Sequence, residues 1–125
     1  NLTYLFITHN LSVVKYMADN VAIMYLGKIV ESGSTEEIFR NPKHPYTKTL
    51  LEAIPSIEER KAFQQIRGDV PSPLDPPNGC HFHPRCQILI DETKDSHLKN
   101  KCENEYPETV YSGTSSVRCH AMNKA

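Results

Sequence analysis

The spacing of apolar residues changes several times over the first 54 residues, and each change marks a predicted element. Thr3-Tyr4-Leu5-Phe6-Ile7-Thr8 is a short β-branched and aromatic run, the composition of a buried strand. It stops at His9-Asn10. Asn10 suits the N-cap of a helix from Leu11 to Ala18, where Leu11, Val14, Met17 and Ala18 recur at helical spacing. Asp19-Asn20 breaks that helix, and Val21 to Leu26 reads as a second strand. Gly27-Lys28 then falls between two β-type runs, as in a two-residue hairpin with Gly at the first turn position, and Ile29 to Ser32 returns. Gly33 is expected to end the return strand. Ser34-Thr35-Glu36-Glu37 has the form of a capping box ahead of Ile38 and Phe39. Pro45 suits the first turn of a further helix carrying Tyr46, Leu50, Ala53 and Ile54 on one face, and Pro55 ends it.

Beyond Pro55 the pattern weakens. Glu58 to Lys61 is a charged, solvated stretch, and Phe63 to Arg67 predicts a short strand. Pro71, Pro73, Pro76 and Pro77 impose an extended, turn-rich path to Cys80. The polar stretch from Asp91 to Lys101 reads as a surface excursion. Strand, turn and helix in quick succession belong to an α/β unit, whereas the tail is too poor in large aliphatics to bury much surface. A crosslink or a metal is expected to hold it.

Composition narrows the function classes. Fourteen Lys and Arg stand against fifteen Asp and Glu, a formal net charge of −1, and the basic residues are scattered. Nothing there predicts a nucleic-acid partner. The longest apolar run, Val21 to Leu26, is too short to span a bilayer. A chain that opens almost directly onto an apolar strand, without an initiator Met, reads as part of a longer one.

His9 follows the first predicted strand, at the carboxyl end where ligands bind in open α/β sheets. An imidazole there can donate a hydrogen bond to a phosphate oxygen or to an attacking water, although a turn histidine is more often structural. The run Tyr4 to Val14 resembles the switch-histidine segment of ABC ATPases, and Ala18 to Gly33 resembles the hairpin that follows it. The resemblance implies that His9 contacts the γ-phosphate of ATP, with Mg2+ as the accompanying ion. Asn41-Pro42-Lys43-His44-Pro45-Tyr46-Thr47 looks like the segment opening the C-terminal extension of oligopeptide, dipeptide and nickel importers. Gly68 to Pro73, Pro77 to Cys80, Phe82 to Cys86 and Arg118-Cys119-His120 continue that likeness. His44 is read as preceding a proline-capped helix, with no catalytic role.

The implied fold class is therefore α/β. Residues 1–40 form the C-terminal piece of an ABC-type nucleotide-binding domain, and residues 41–125 form a loop-rich, four-cysteine extension. The Gly-rich phosphate loop, the signature motif and the magnesium-holding carboxylates of such ATPases are absent from this sequence. They are expected upstream of Asn1, and this stretch alone is expected not to hydrolyse ATP. The resemblance implies a second ATP-binding subunit and membrane permease subunits as partners. A substrate-binding protein acts indirectly, and the location is the cytoplasmic face of the cell membrane. The cargo, peptide or nickel, is not written in these residues.

Cys80, Cys86, Cys102 and Cys119 are the only cysteines, separated by five, fifteen and sixteen residues. Disulfides need an oxidising compartment. Structural zinc sites favour tight Cys-x₂₋₄-Cys knuckles, absent here, and a four-thiolate iron–sulfur cluster tolerates wider spacing. Importers with the same tail carry a [4Fe–4S] cluster, so the resemblance implies one here, with zinc as the alternative. The gap before Cys102 is longer than the family's. His81, His83 and His120 flank the cysteines and are read as supporting or surface residues. In either case the metal's expected work is to fold the tail. The competing expectation is a free-standing metal-binding interaction module without nucleotide chemistry, which needs the first fifty residues to fold as a complete unit.

Overall fold

The computed structural model describes residues 1–54, 66, 68–92 and 94–122. The charged stretch from Glu58 and the helix-ending Pro55 lie outside these residues, as does the strand expected at 63–67 apart from Ile66, which packs partly buried on the core.

Helix α1 spans Leu11–Met17, with the Asn10 side chain accepting the Val13 N–H at 3.2 Å. Such a cap is worth about 1 kcal/mol. Strand β1, Asn20–Tyr25, alternates strictly, with Val21, Ile23 and Tyr25 turned inward. It pairs antiparallel with β2, Lys28–Ser34. The turn between them differs from the expected one by a single position. Leu26 (φ 45°) and Gly27 (φ 76°) are its two central residues, so both adopt the left-handed conformation of a type I′ turn and Gly takes the second place.

Register slips by one residue between Ile23 and Met24, which pair with Glu31 and Ile29. Val30 is the bulged residue, and the bulge leaves both Val30 and Glu31 buried where simple alternation would expose one of them. Gly33 does not end β2. It lies inside the strand opposite Val21, and a Cβ there would run into the Ser115 side chain. Ser34 caps α2, Thr35–Arg40, by accepting the Glu37 N–H at 3.2 Å. The other half of the box is missing, because the Glu37 carboxylate instead bonds Lys43 Nζ (3.0 Å) and Ser115 Oγ. Helix α3, Pro45–Glu52, starts with Pro45 in its first turn, as expected.

The run from Thr3 to Thr8 forms no strand in the structure. Leu5 and Ile7 are 94% and 97% exposed, and Leu2 and Tyr4 are nearly as open. Its composition suits a buried strand, but a strand needs a neighbour to take its N–H and C=O groups. The described strands all pair elsewhere.

The tail holds more regular structure than its sequence suggests. Short turns at His83–Arg85 and Ile88–Glu92 flank Cys86. Helix α4, Ser96–Asn104, is capped by Asp95 and buries Leu98 and Cys102 one turn apart. The stretch read as a surface excursion is exposed at residues 94–97, Lys99 and Asn100, but it winds into a helix that turns Leu98 inward. The hairpin β3 (Val110–Ser112) and β4 (Ser115–Val117) then adds to β2, with Glu31 opposite Val117. The result is one four-stranded antiparallel sheet ordered β1-β2-β4-β3, so the tail completes the sheet begun by the first half of the chain. The core joins Val14, Val21, Ile23, Tyr25, Val30 and Ile38 to Phe82 and Cys86 of the tail.

Candidate functional site

The four cysteines converge. Cys80, Cys86, Cys102 and Cys119 line a single cavity together with Phe82, Leu89, Leu98 and three histidines, His44, His83 and His120. No disulfide joins the cysteines. Local backbone geometry places each one. Cys80 donates its N–H to the Cys102 carbonyl at 2.8 Å, binding the tail's first turn to the end of α4. Gly79 permits that approach. Its φ is +64°, and a Cβ would lie 2.7 Å from the Glu103 carbonyl carbon and 2.8 Å from Asn104 N, as well as striking the Cys102 oxygen. Cys86 ends the 83–85 turn, with its N–H on the His83 carbonyl. Cys119 leads into a closing turn, His120–Met122.

Burial dominates the electrostatics. It pushes the Cys80 thiol up to about 11 and the Cys102 thiol up to about 12, and raises Cys119 as well, with neighbouring thiols adding to the effect. Without a cation between them these groups are thiols at neutral pH, and a metal taking them as thiolates must expel protons. Among the described residues no group of three or more His, Cys, Asp or Glu is arranged to hold a metal ion. A single zinc with Zn–S bonds of about 2.3 Å needs its donors packed tightly around one point, and that geometry is not formed here.

The cavity wall belongs to both halves of the chain. His44 is 1% exposed and caps α3, its Nδ1 accepting the Tyr46 N–H at 3.1 Å. Burial lowers its pKa to about 4, opposed by a backbone hydrogen bond with Arg118. It is neutral at pH 7 and caps the helix opened by Pro45, the position expected for it. Glu31 holds it in place. The buried carboxylate accepts the backbone N–H groups of Lys43 (2.8 Å) and His44 (2.9 Å). Phe82 reaches out of the tail to Tyr25, Tyr46 and His44, with ring centroids 5.2, 5.4 and 5.8 Å away.

His9 lies elsewhere. It is exposed at the junction between the unpaired apolar run and α1, and it does not line the cysteine cavity. With no strand at residues 3–8, the sheet-crest position expected for it is not formed. Sequence reasoning missed Glu31 and Phe82 as organisers of the site. A lone acid in an otherwise β-type run, Ile29-Val30-Glu31-Ser32, was the available signal for the first. The spacing of Leu98 and Cys102 was the signal for α4.

A small antiparallel sheet flanked by helices and closed by a thiol-rich tail is the class of structure these elements define. Residues 30–92, half of the chain, match the family described as the oligopeptide/dipeptide transporter C-terminal region, and the chain belongs to that family. It is similar to the dipeptide transport ATP-binding protein DppF of Haemophilus influenzae, 44% identical over 108 residues, which are 83% of this chain and 33% of that protein. It also resembles the di/tripeptide transport ATP-binding protein DppF of Pseudomonas aeruginosa, 41% identical over 119 residues, 94% of this chain and 34% of that protein. The oligopeptide transport ATP-binding protein AppF of Bacillus subtilis is 41% identical over 125 residues, 96% of this chain and 35% of its own length. The chain thus spans about a third of the length of the curated relatives it matches. No helix among the described residues is long and apolar enough to cross a membrane.

Proposed function

We propose that this chain is the C-terminal part of the ATP-binding subunit of a peptide importer, a subunit that hydrolyses ATP with Mg2+ to drive uptake of oligopeptides or dipeptides. The observation that carries the reading is the family match over residues 30–92, joined to relatives that are peptide transport ATP-binding proteins along nearly the whole chain. On this reading the unit divides near residue 40, with His9 in the nucleotide-binding portion. A hydrogen bond from its imidazole to the γ-phosphate stabilises charge in phosphoryl transfer. Its exposure leaves the ring open to a nucleotide gripped by residues outside this chain. The subunit pairs with a second ATP-binding subunit and with membrane permeases that receive peptide from a binding protein, peripheral to the cytoplasmic face of the membrane. His9→Ala in the assembled transporter is expected to lower ATP hydrolysis and peptide uptake at least ~10-fold, the scale of a lost transition-state donor. Unchanged hydrolysis contradicts the role given to His9.

The cysteine cavity is proposed to hold a [4Fe–4S] cluster. The support is chemical: four thiols, the soft donors that iron–sulfur clusters take, line one cavity. A cluster of several irons takes its thiolates at wider spacing than a single zinc does, which favours the cluster over the ion as the occupant of this cavity. Bound there, it would supply crosslinking energy to a tail with few large aliphatics. Cys80, Cys86, Cys102 and Cys119 are its proposed ligands.

A further inference from the structure

Lys28, His81, Tyr106 and Arg118 come from both halves of the chain and gather around one aromatic ring. None of them lines the cysteine cavity. The Lys28 Nζ lies 5.8 Å from the centre of the Tyr106 ring, and the Arg118 guanidinium carbon lies 5.9 Å from it. His81 meets the same ring edge-on at 5.2 Å. Lys28 opens β2, Tyr106 follows α4 and Arg118 follows β4, so the group forms only when the tail closes on the first hairpin. Arg118 is fixed twice: its N–H donates to the Val30 carbonyl at 2.9 Å, and its Nε donates to Thr109 Oγ1 at 2.8 Å. Among the described residues no carboxylate pairs with Lys28 or with Arg118. Contacts of a cation with a partly exposed ring are weak. Tyr106 therefore positions two charges without neutralising them, and Lys28 is exposed while Arg118 and Tyr106 are half-buried.

We propose that this group docks an acidic segment of a neighbouring transporter subunit, whose carboxylates meet the Lys28 ammonium and the Arg118 guanidinium beside the Tyr106 ring. The inference rests on the reading of the chain as part of a transporter subunit. A guanidinium presents a planar fork that matches a carboxylate with two parallel hydrogen bonds. Tyr and Arg are also the residue types that concentrate at the buried centres of protein interfaces. An anionic membrane surface fits less well. Such a surface is held by about four to eight clustered basic residues. Here two stand with exposed Glu105 and Glu108, which flank Tyr106 in the sequence and leave the neighbourhood close to neutral. A protein partner can place its carboxylates past those two acids, whereas a continuous sheet of anionic headgroups meets them as well.

The test is carbodiimide coupling on the full-length subunit assembled with its permease and second ATP-binding subunits, because that reagent joins an ammonium only to a carboxylate in contact with it. Mass spectrometry of the wild type is expected to find Lys28 joined to an Asp or Glu of another subunit. The double variant Lys28→Gln, Arg118→Gln is expected to bind the other subunits at least ~10-fold more weakly at low salt. That difference shrinks near 1 M salt, where screening reaches down to about 3 Å. Arg118→Lys, which keeps the charge and loses the fork, falls between the two. An assembled, ATP-hydrolysing complex in which Lys28 couples only within its own chain, or to nothing, overturns the docking site and leaves the transporter reading standing. Binding to phosphatidylglycerol vesicles that is lost in the double variant, with no coupling to another subunit, assigns the group to the membrane and also overturns it. A subunit that forms no complex with the permease overturns both. The wild-type coupling decides the matter even where a variant does not fold.

Discussion

Around β1, β2 and α2, aliphatic side chains from consecutive elements meet directly. Val21, Ile23, Val30 and Ile38 close that core over a hairpin whose register and turn are local in sequence. The region from Cys80 to His120 is built another way. Its large buried side chains are few, and a cavity lined by four thiols stands where an aliphatic core would be. It is tied to the first region by three specific devices: the β2–β4 ladder, the Glu31 carboxylate on the Lys43 and His44 amides, and Phe82 among the rings of Tyr25, Tyr46 and His44. The lesson is that one sheet can be shared by a segment closed by aliphatic burial and a segment with few large buried side chains, joined by specific polar and aromatic contacts.

Removing Phe82 is the strongest way to separate the two regions. Phe82→Ala empties a 2%-exposed site at their junction and should cost about 3–5 kcal/mol. Urea unfolding followed by hydrogen exchange checks this: protection falls first in residues 80–119 and persists longer in β1 and β2. Equal loss in both regions would show that they are not distinguishable in stability. Glu31→Ala strands two backbone donors and should cost roughly 2–4 kcal/mol. Glu31→Gln keeps an acceptor and recovers part of it, both read from denaturation midpoints.

The third effect depends on pH. Burial holds the native His44 pKa at about 4, below its unfolded value of 6.5. Between those values the unfolded chain binds more protons than the native one. Stability therefore falls as pH falls through that window, by up to about 3 kcal/mol, and is unaffected above it. Thermal melts of metal-free protein between pH 7 and pH 4, compared with His44→Asn, check the sign. Asn still caps the helix but does not titrate, so its slope should be shallower.

Much of the first region was legible in sequence because its signals are local. Asn10, Ser34 and Pro45 each sit at the helix start that their chemistry favours. The hairpin turn was misplaced by one residue because Leu26 accepts a positive φ that a β-type pattern does not advertise. The run from Thr3 to Thr8 reads as a buried strand, since composition reports what a strand would bury and not whether a neighbouring strand is present. In the tail, α4 and the β3–β4 hairpin escaped notice because long-range pairing with β2 and with Cys80 stabilises polar, short segments of modest propensity. The four cysteines were legible as a set. Their convergence on one cavity required the fold.

The proposal that the cysteine cavity takes a cluster is tested most directly by iron and acid-labile sulfide analysis of anaerobically purified protein. About four iron and four sulfide per chain are expected, with brown thiolate-to-iron absorption that vanishes in the Cys80→Ser, Cys119→Ser double variant. Colourless protein that stays free of iron after reconstitution, with the cavity region equally protected from hydrogen exchange, would contradict it.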